Sequence, residues 1–255
     1  MNKIIENFLQ THIKEYELDG MTKETAFEHF INRCIINKYA TDRVDPSVIM
    51  TDSGEKGLDG VAIIVNDRII CDEAELQSVI SESNKLEVRF VFIQSKTSEN
   101  FSASEIGDFL YGVKAFFETK ESRPTTNPKM ENLIKLKDII YTHGVDFDPS
   151  PIVDAYYVCC GKWNDGNGLI SRVNIDLKPL RESDDYSQVN FYPYDSEKII
   201  ITYKELKKKV AKSFQMDKRV ASHHSKVCLC YALYHWKCNT FIHLKRLRNF
   251  LFEFF

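Results

Sequence analysis

Asp59, Gln94 and Lys96 are the residues of this chain whose types and spacing could carry chemistry. Asp59 stands between glycines, in Gly57-Leu58-Asp59-Gly60, at the mouth of the apolar run Val61-Ala62-Ile63-Ile64-Val65. Gln94 and Lys96 close a second run, Phe90-Val91-Phe92-Ile93-Gln94-Ser95-Lys96. An acid, an amide and a lysine brought together by neighbouring strands are the minimum kit for magnesium-dependent phosphodiester hydrolysis. That reaction needs a water made nucleophilic and a place for charge to build on the phosphate. Mg2+ (or Mn2+) supplies both, and takes oxygen ligands: one or two carboxylates with waters and substrate phosphate. Asp59 is one such donor, and the Gln94 amide and the Ser95 carbonyl offer others. Lys96, two residues past Gln94, shares its face of the strand. There its ammonium can orient the attacking water and offset charge on the phosphorane. Glu28 can complete the ligand set from outside the sheet. Gly57 and Gly60 let backbone or substrate approach Asp59 closely. The same residues have bland readings: Asp-Gly is common turn chemistry, and a lysine after a strand is usually just solvated.

The elements that must position these residues follow from periodicity. Ile4, Ile5, Phe8, Leu9 and Ile13 predict an amphipathic helix over 2–16, broken by Asp19-Gly20. Thr22-x-x-Thr25 opens a second helix with Ala26, Phe27, Phe30, Ile31, Cys34 and Ile35 on one face, and Glu28 beside that stripe. Residues 42–56 read as a loop. Val61 to Val65 is a buried strand, turned by Asn66-Asp67 into a second strand over 68–71. Asp72 caps a short helix through Ser81, and Leu86 to Ile93 reads as a central strand. Ser102-x-x-Glu105 is a capping box before a helix carrying Ile106, Phe109, Leu110, Val113, Phe116 and Phe117. Residues 122–129 are a linker or loop, 130–142 a helix, 152–159 a strand and 165–168 a turn. A helix over 168–180 ends at Pro179, a strand covers 189–192, and 199–214 is strand, helix or both. Lys207-Lys208-Lys209 reads as a solvated helix face.

Two stretches carry a resemblance. Gly57-Leu58-Asp59-Gly60-Val61-Ala62 followed by Phe92-Ile93-Gln94-Ser95-Lys96 resembles the catalytic pattern of the restriction-endonuclease-like, PD-(D/E)XK superfamily. The Mrr-like branch is the nearest in flavour, because there Gln replaces the acid of the last motif. Ala26-Phe27-Glu28-x-Phe30 resembles the helix that holds the outer acid in that branch. From Gly57 to Phe117 the text also resembles the abortive-infection phage-resistance (AIPR) family, through Gly57 to Asn66, Phe92 to Lys96, and Glu105-Ile106-Gly107-Asp108-Phe109 with Gly112-Val113-Lys114-x-Phe116-Phe117. The resemblance implies a nuclease-like core in an antiphage defence protein. This sequence departs from the pattern twice: Leu58 precedes Asp59 in place of proline, and Gln94 removes one ligand charge. Members of the family continue well past this length, so the chain is expected to be short.

Composition bounds the alternatives. The 255 residues are 43% hydrophobic and 28% charged with net charge −3, as in an ordinary globular protein. Bulk charge gives no pull towards nucleic acid, so such binding must use a local patch or a metal. No apolar run approaches a membrane span, and no export signal is expected, which predicts a cytoplasmic protein with no membrane partner. Its seven irregularly spaced cysteines are read as reduced thiols. Cys159-Cys160 is read as core packing. Trp163 and Tyr156-Tyr157 are either core aromatics or stacking surfaces for bases.

These observations predict an α/β, restriction-endonuclease-like fold: a mixed central sheet flanked by helices over 1–215, with the site on one sheet edge. The expected function is a Mg2+-dependent nuclease acting on DNA. Asp59 and Glu28 are expected as metal ligands with Gln94 and the Ser95 carbonyl, and Lys96 as the residue that orients the nucleophile. The competing class is a catalytically degenerate nucleic-acid-binding or protein-interaction module on the same scaffold. A homo-oligomer is compatible with either. Residues 216–255 differ in character. From Val220 on, one acid (Glu253) accompanies dense aromatics, four histidines and three cysteines. An altered or truncated end is the expectation there, against a His/Cys zinc site or a basic aromatic docking helix.

Overall fold

The computed structural model of the protein describes residues 1–39, 44–51, 57–119, 121–122, 124–165 and 168–208, and the backbone of 219–221 and 230–232. The chain divides into two compact units, Met1–Lys207 and Lys208–Phe255. In the first unit the elements are α1 (Lys3–Tyr16), α2 (Lys23–Ile36), β1 (Gly60–Val65), β2 (Arg68–Ile70), α3 (Glu73–Glu82), β3 (Val88–Lys96), α4 (Ala103–Phe117), α5 (Pro128–Thr142), β4 (Ile152–Cys159), α6 (Leu169–Arg181), β5 (Gln188–Tyr194) and α7 (Ser196–Lys207). In the second, β6 (Arg219–Ala221) pairs antiparallel with β7 (Cys230–Ala232). The character assigned to 220–255, its histidines and cysteines included, otherwise lies outside the described residues.

Local chemistry places the helix starts. Side chains of Asn2, Thr22, Asp72, Ser102 and Asn127 each accept a hydrogen bond from a first-turn N–H of the helix that follows. Asn66 and Asp67, at φ 51° and 63°, make the tight turn between β1 and β2 and fix Val65 opposite Arg68. The Asn66 side chain also bonds Glu87 N (2.8 Å) and Lys85 O (3.1 Å), tying the hairpin to the approach of β3.

The five strands lie in the order β2-β1-β3-β4-β5. β1 runs antiparallel to β2 and β3, while β3, β4 and β5 are parallel. The fold is therefore α/β with a mixed sheet and helices on both faces. Phe90, Phe92, Ala155 and Tyr157 point into the core shared with α3 to α6. Val91, Ile93, Tyr156 and Val158 point into the core shared with α1, α2 and α7. Burial on both faces explains why β1 and β3 read as continuous apolar runs.

Three expectations need correction. Pro179 lies inside α6 rather than ending it. Its missing N–H would have met the carbonyl of Ile175, a residue 69% exposed, where water can serve instead. The capping box is half made: Ser102 Oγ accepts from Glu105 N (3.4 Å), but the Glu105 carboxylate accepts from Tyr157 Oη (3.2 Å). α5 begins at Pro128, because Asn127 caps it and proline suits the first helical position. Residues 196–207 are helix, one of the readings open for 199–214; Lys207 and Lys208 are exposed, Lys207 pairing with Glu15 at 2.5 Å, and 209–214 lie outside the described residues. Cys34, Cys71, Cys159 and Cys160 are free thiols. Tyr156 and Tyr157 are core residues, 4% and 0% exposed, so neither offers a face to a base. Among the described residues no helix is long and apolar enough to cross a membrane.

Candidate active site

Topology brings the predicted residues to one end of the sheet. β1 is antiparallel to β3, so its start lies beside the end of β3, with Gly60 opposite Ile93. Asp59 thereby lands next to Gln94, Ser95 and Lys96. The position is the strand-end side of the two inner strands β1 and β3, not a sheet edge as expected.

Asp59 is clamped from several directions. Its N–H donates to Ile93 O (2.9 Å), and its carbonyl accepts from Thr51 N (3.2 Å) and Asn32 Nδ2 (3.3 Å). Its Oδ2 accepts from Ser95 N (2.6 Å) and Ser95 Oγ (3.3 Å), which leaves Oδ1 without a hydrogen bond among the described residues. In a strand the N–H and C=O of one residue leave on the same side. The Ser95 carbonyl therefore leaves β3 on the side of β1.

Gln94 is buried at 4% exposure. The amide orientation that satisfies both its ends has nitrogen donating to Gly57 O (3.2 Å) and oxygen accepting from Lys96 Nζ (3.0 Å). Its oxygen, expected at a metal, thus aims the ammonium. Gly57 sits at φ +71°, and an added Cβ would lie 2.9 Å from the backbone of Phe109. A side chain is excluded there, and the glycine lets the loop before Asp59 rest on α4.

Glu28 comes from α2 and is half-buried. Burial and then the charge of Asp59 raise its pKa to about 7, against the opposing pull of Lys96. Burial likewise raises Asp59, opposed by the Ser95 N–H and Lys96. Lys96 acts on both acids through its charge alone, with no hydrogen bond to either. Two desolvated carboxylates that repel each other, facing one ammonium, are an uncompensated arrangement of the kind found where ligands or reactions are handled.

Sequence reasoning missed Asn32, Thr51 and the Tyr157–Glu105 pair beside Gln94. Asn32 was readable: it interrupts the apolar face of α2 one turn past Glu28. Thr51 and Tyr157 carry no local signal, since their partners come from distant parts of the chain. Among the described residues no group of three or more His, Cys, Asp or Glu is arranged to hold a metal. Compared with family models, with curated proteins and with solved structures, the chain matches none.

Proposed function

We propose that the protein is a metal-dependent nuclease of restriction-endonuclease-like fold, cleaving DNA in antiphage defence. The observation that carries the reading is the meeting of Asp59, at the start of β1, with Ser95 and the Gln94-bound Lys96 at the end of β3, within the electrostatic reach of Glu28 from α2. The donor set fits a hard divalent ion. Asp59 Oδ1 has no hydrogen-bond partner among the described residues, the Ser95 carbonyl leaves β3 on the side of β1, and a cation would offset the burial and the Asp59 charge that together raise Glu28. Asp59, Glu28 and the Ser95 carbonyl would hold Mg2+. When bound, Mg2+ supplies Lewis-acid activation of the scissile phosphate and its attacking water.

The chain's own residues do the rest. Lys96, aimed by Gln94, donates a hydrogen bond that orients the incoming water and offsets negative charge on the phosphorane oxygens. Ser95 N–H holds Asp59 in one rotamer, so the carboxylate pays no reorganisation cost when substrate arrives. The clamp on the Asp59 backbone fixes it relative to β3.

Gln94 also favours a second reading. With an amide where an acid would add ligand charge, and two carboxylates in place of three, the scaffold suits a non-catalytic nucleic-acid-binding or protein-interaction module. One experiment separates them: full-length protein on plasmid, linear and single-stranded DNA, with and without Mg2+, beside Asp59→Ala and Lys96→Ala. Mg2+-dependent cleavage lost in both variants supports the nuclease. Equal cleavage in all three proteins assigns it to another source, and binding without cleavage selects the degenerate module.

A further inference from the structure

Asn32 is fully buried, at 0% exposure, on the helix that carries Glu28. It lies four residues past Glu28, hence on the same face of α2. Its Nδ2 donates to the carbonyl of Asp59 (3.3 Å), while its Oδ1 has no hydrogen-bond partner. A Cβ added at Gly60 would lie 2.5 Å from that oxygen and 2.9 Å from the amide carbon and nitrogen. The amide is thus pressed against a backbone position that only glycine can occupy. A leucine of similar size would fill the space without burying an unsatisfied oxygen. The amide is an expensive choice for packing alone, yet it links the helix of Glu28 to the backbone of Asp59.

We propose that Asn32 is a positioning residue: seated on Gly60, it sets the separation between the Glu28 and Asp59 carboxylates. The proposal rests on the reading of these acids as one site. Asn32 acts through the two acids and touches no substrate. Removing it leaves α2, whose other polar contacts go to α1 and Asp45, seated on the sheet by apolar contacts, which specify its axial position less sharply than a directional hydrogen bond.

The test is Asn32→Leu, with Asn32→Ala in its place should the leucine variant fail to fold. Crystal structures of the parent and the variant give the Glu28–Asp59 separation, and Mn2+ titration gives metal affinity. Expected are a changed separation, at least tenfold weaker Mn2+ binding, and a Mg2+ requirement for cleavage raised at least tenfold. The rate at saturating Mg2+ should fall much less. A general loss of fold would lower rate and melting temperature together instead. Gly60→Ala should weaken Mn2+ binding as well, and Gly60→Ala with Asn32→Ala should recover melting temperature but not Mn2+ affinity. An unchanged carboxylate separation in Asn32→Leu overturns the proposal, as does recovery of Mn2+ affinity in the double variant. A parent protein that binds no Mn2+ and cleaves nothing defeats the nuclease reading instead, and the crystallographic separation still decides the role of Asn32.

Discussion

Two acids sit in the same sheet and are treated in opposite ways. Asp154, in the middle of β4, is 0% exposed and has every oxygen occupied. Its Oδ2 accepts from Tyr39 Oη (2.9 Å) and the Arg89 guanidinium, and its Oδ1 from Asn190 Nδ2 (2.9 Å). Asp59, at the start of β1, is anchored through one oxygen, leaves the other unpaired, and faces a second carboxylate. A buried acid with a full set of donors is part of the framework; one with a spare oxygen and a like charge nearby is held ready for something else. Burial alone would have ranked them the wrong way round.

The sharpest way to break this contrast is to delete both acids. Asp154→Ala strands Arg89, Tyr39 and Asn190, and should destabilise by about 3 kcal/mol in urea unfolding. A loss below about 1 kcal/mol would remove Asp154 from the framework.

A second satisfied cluster tests the same idea by pH. Arg33 can only donate, so His12 Nδ1 accepts (3.4 Å), His12 Nε2–H donates to His29 Nδ1 (2.7 Å), and His29 Nε2 faces Asp45 (3.5 Å). Burial, then His29 and Arg33, depress His12 from 6.5 to about 3. A depressed folded pKa means that stability is full above 6.5 and is lost as pH falls towards 3. The expected loss is on the order of 2 kcal/mol between pH 6.5 and 5. Equal stability at the two pH values would refute the neutral pair.

Glu28 has the opposite sign. Its folded value, about 7, exceeds the ordinary 4.5, so the stability it contributes is present below 4.5 and lost as pH rises through 7. Allowing for its partial exposure, Glu28→Gln should exceed the parent by about 1 kcal/mol near pH 8. The difference should vanish in acid. A difference independent of pH would mean that Glu28 is an ordinary surface residue.

The smallest effect is expected at Asp59 itself. Asp59→Asn keeps an acceptor for Ser95 N–H and removes the charge, so stability should change by less than about 1 kcal/mol. Cleavage should disappear. A large destabilisation would place Asp59 with Asp154 as framework.

Much of this was legible because it is local. Asn66-Asp67, Thr22 and Asp72 act on neighbours one to four residues away, and the strands carry their own apolar pattern. The Gly-Leu-Asp-Gly and Gln-x-Lys segments were legible as a pair, since a strand start and a strand end meet whenever the strands are antiparallel. What stayed hidden depends on distant partners. Glu105 looked like half of a capping box because Tyr157, which takes its carboxylate, lies 52 residues away. Asp154 drew no notice, because Tyr39, Arg89 and Asn190 meet it only in the folded sheet. The bond from Lys96 to Gln94 was not legible either, because it depends on where the lysine side chain reaches in the folded strand.

The parallel half of the sheet has one more consequence. β3, β4 and β5 all end on the side where Asp59 and Lys96 lie, and the turns that follow are bonded to one another, Cys160 N to Ser98 O and Ser196 N to Gly161 O, both at 2.9 Å. α4, α6 and α7 follow these strand ends in turn, so their first turns gather on this side. Each contributes the positive end of a helix dipole, worth about half a charge. Glu105 and Glu197 offset it in α4 and α7, and at the start of α6 the Asp165 carboxylate accepts from Ile170 N (2.9 Å). In a chain of net charge −3, the carboxylates seated at these helix starts offset that positive end within the fold, so an anion arriving at this rim would depend on Lys96 or on a bound cation for its attraction.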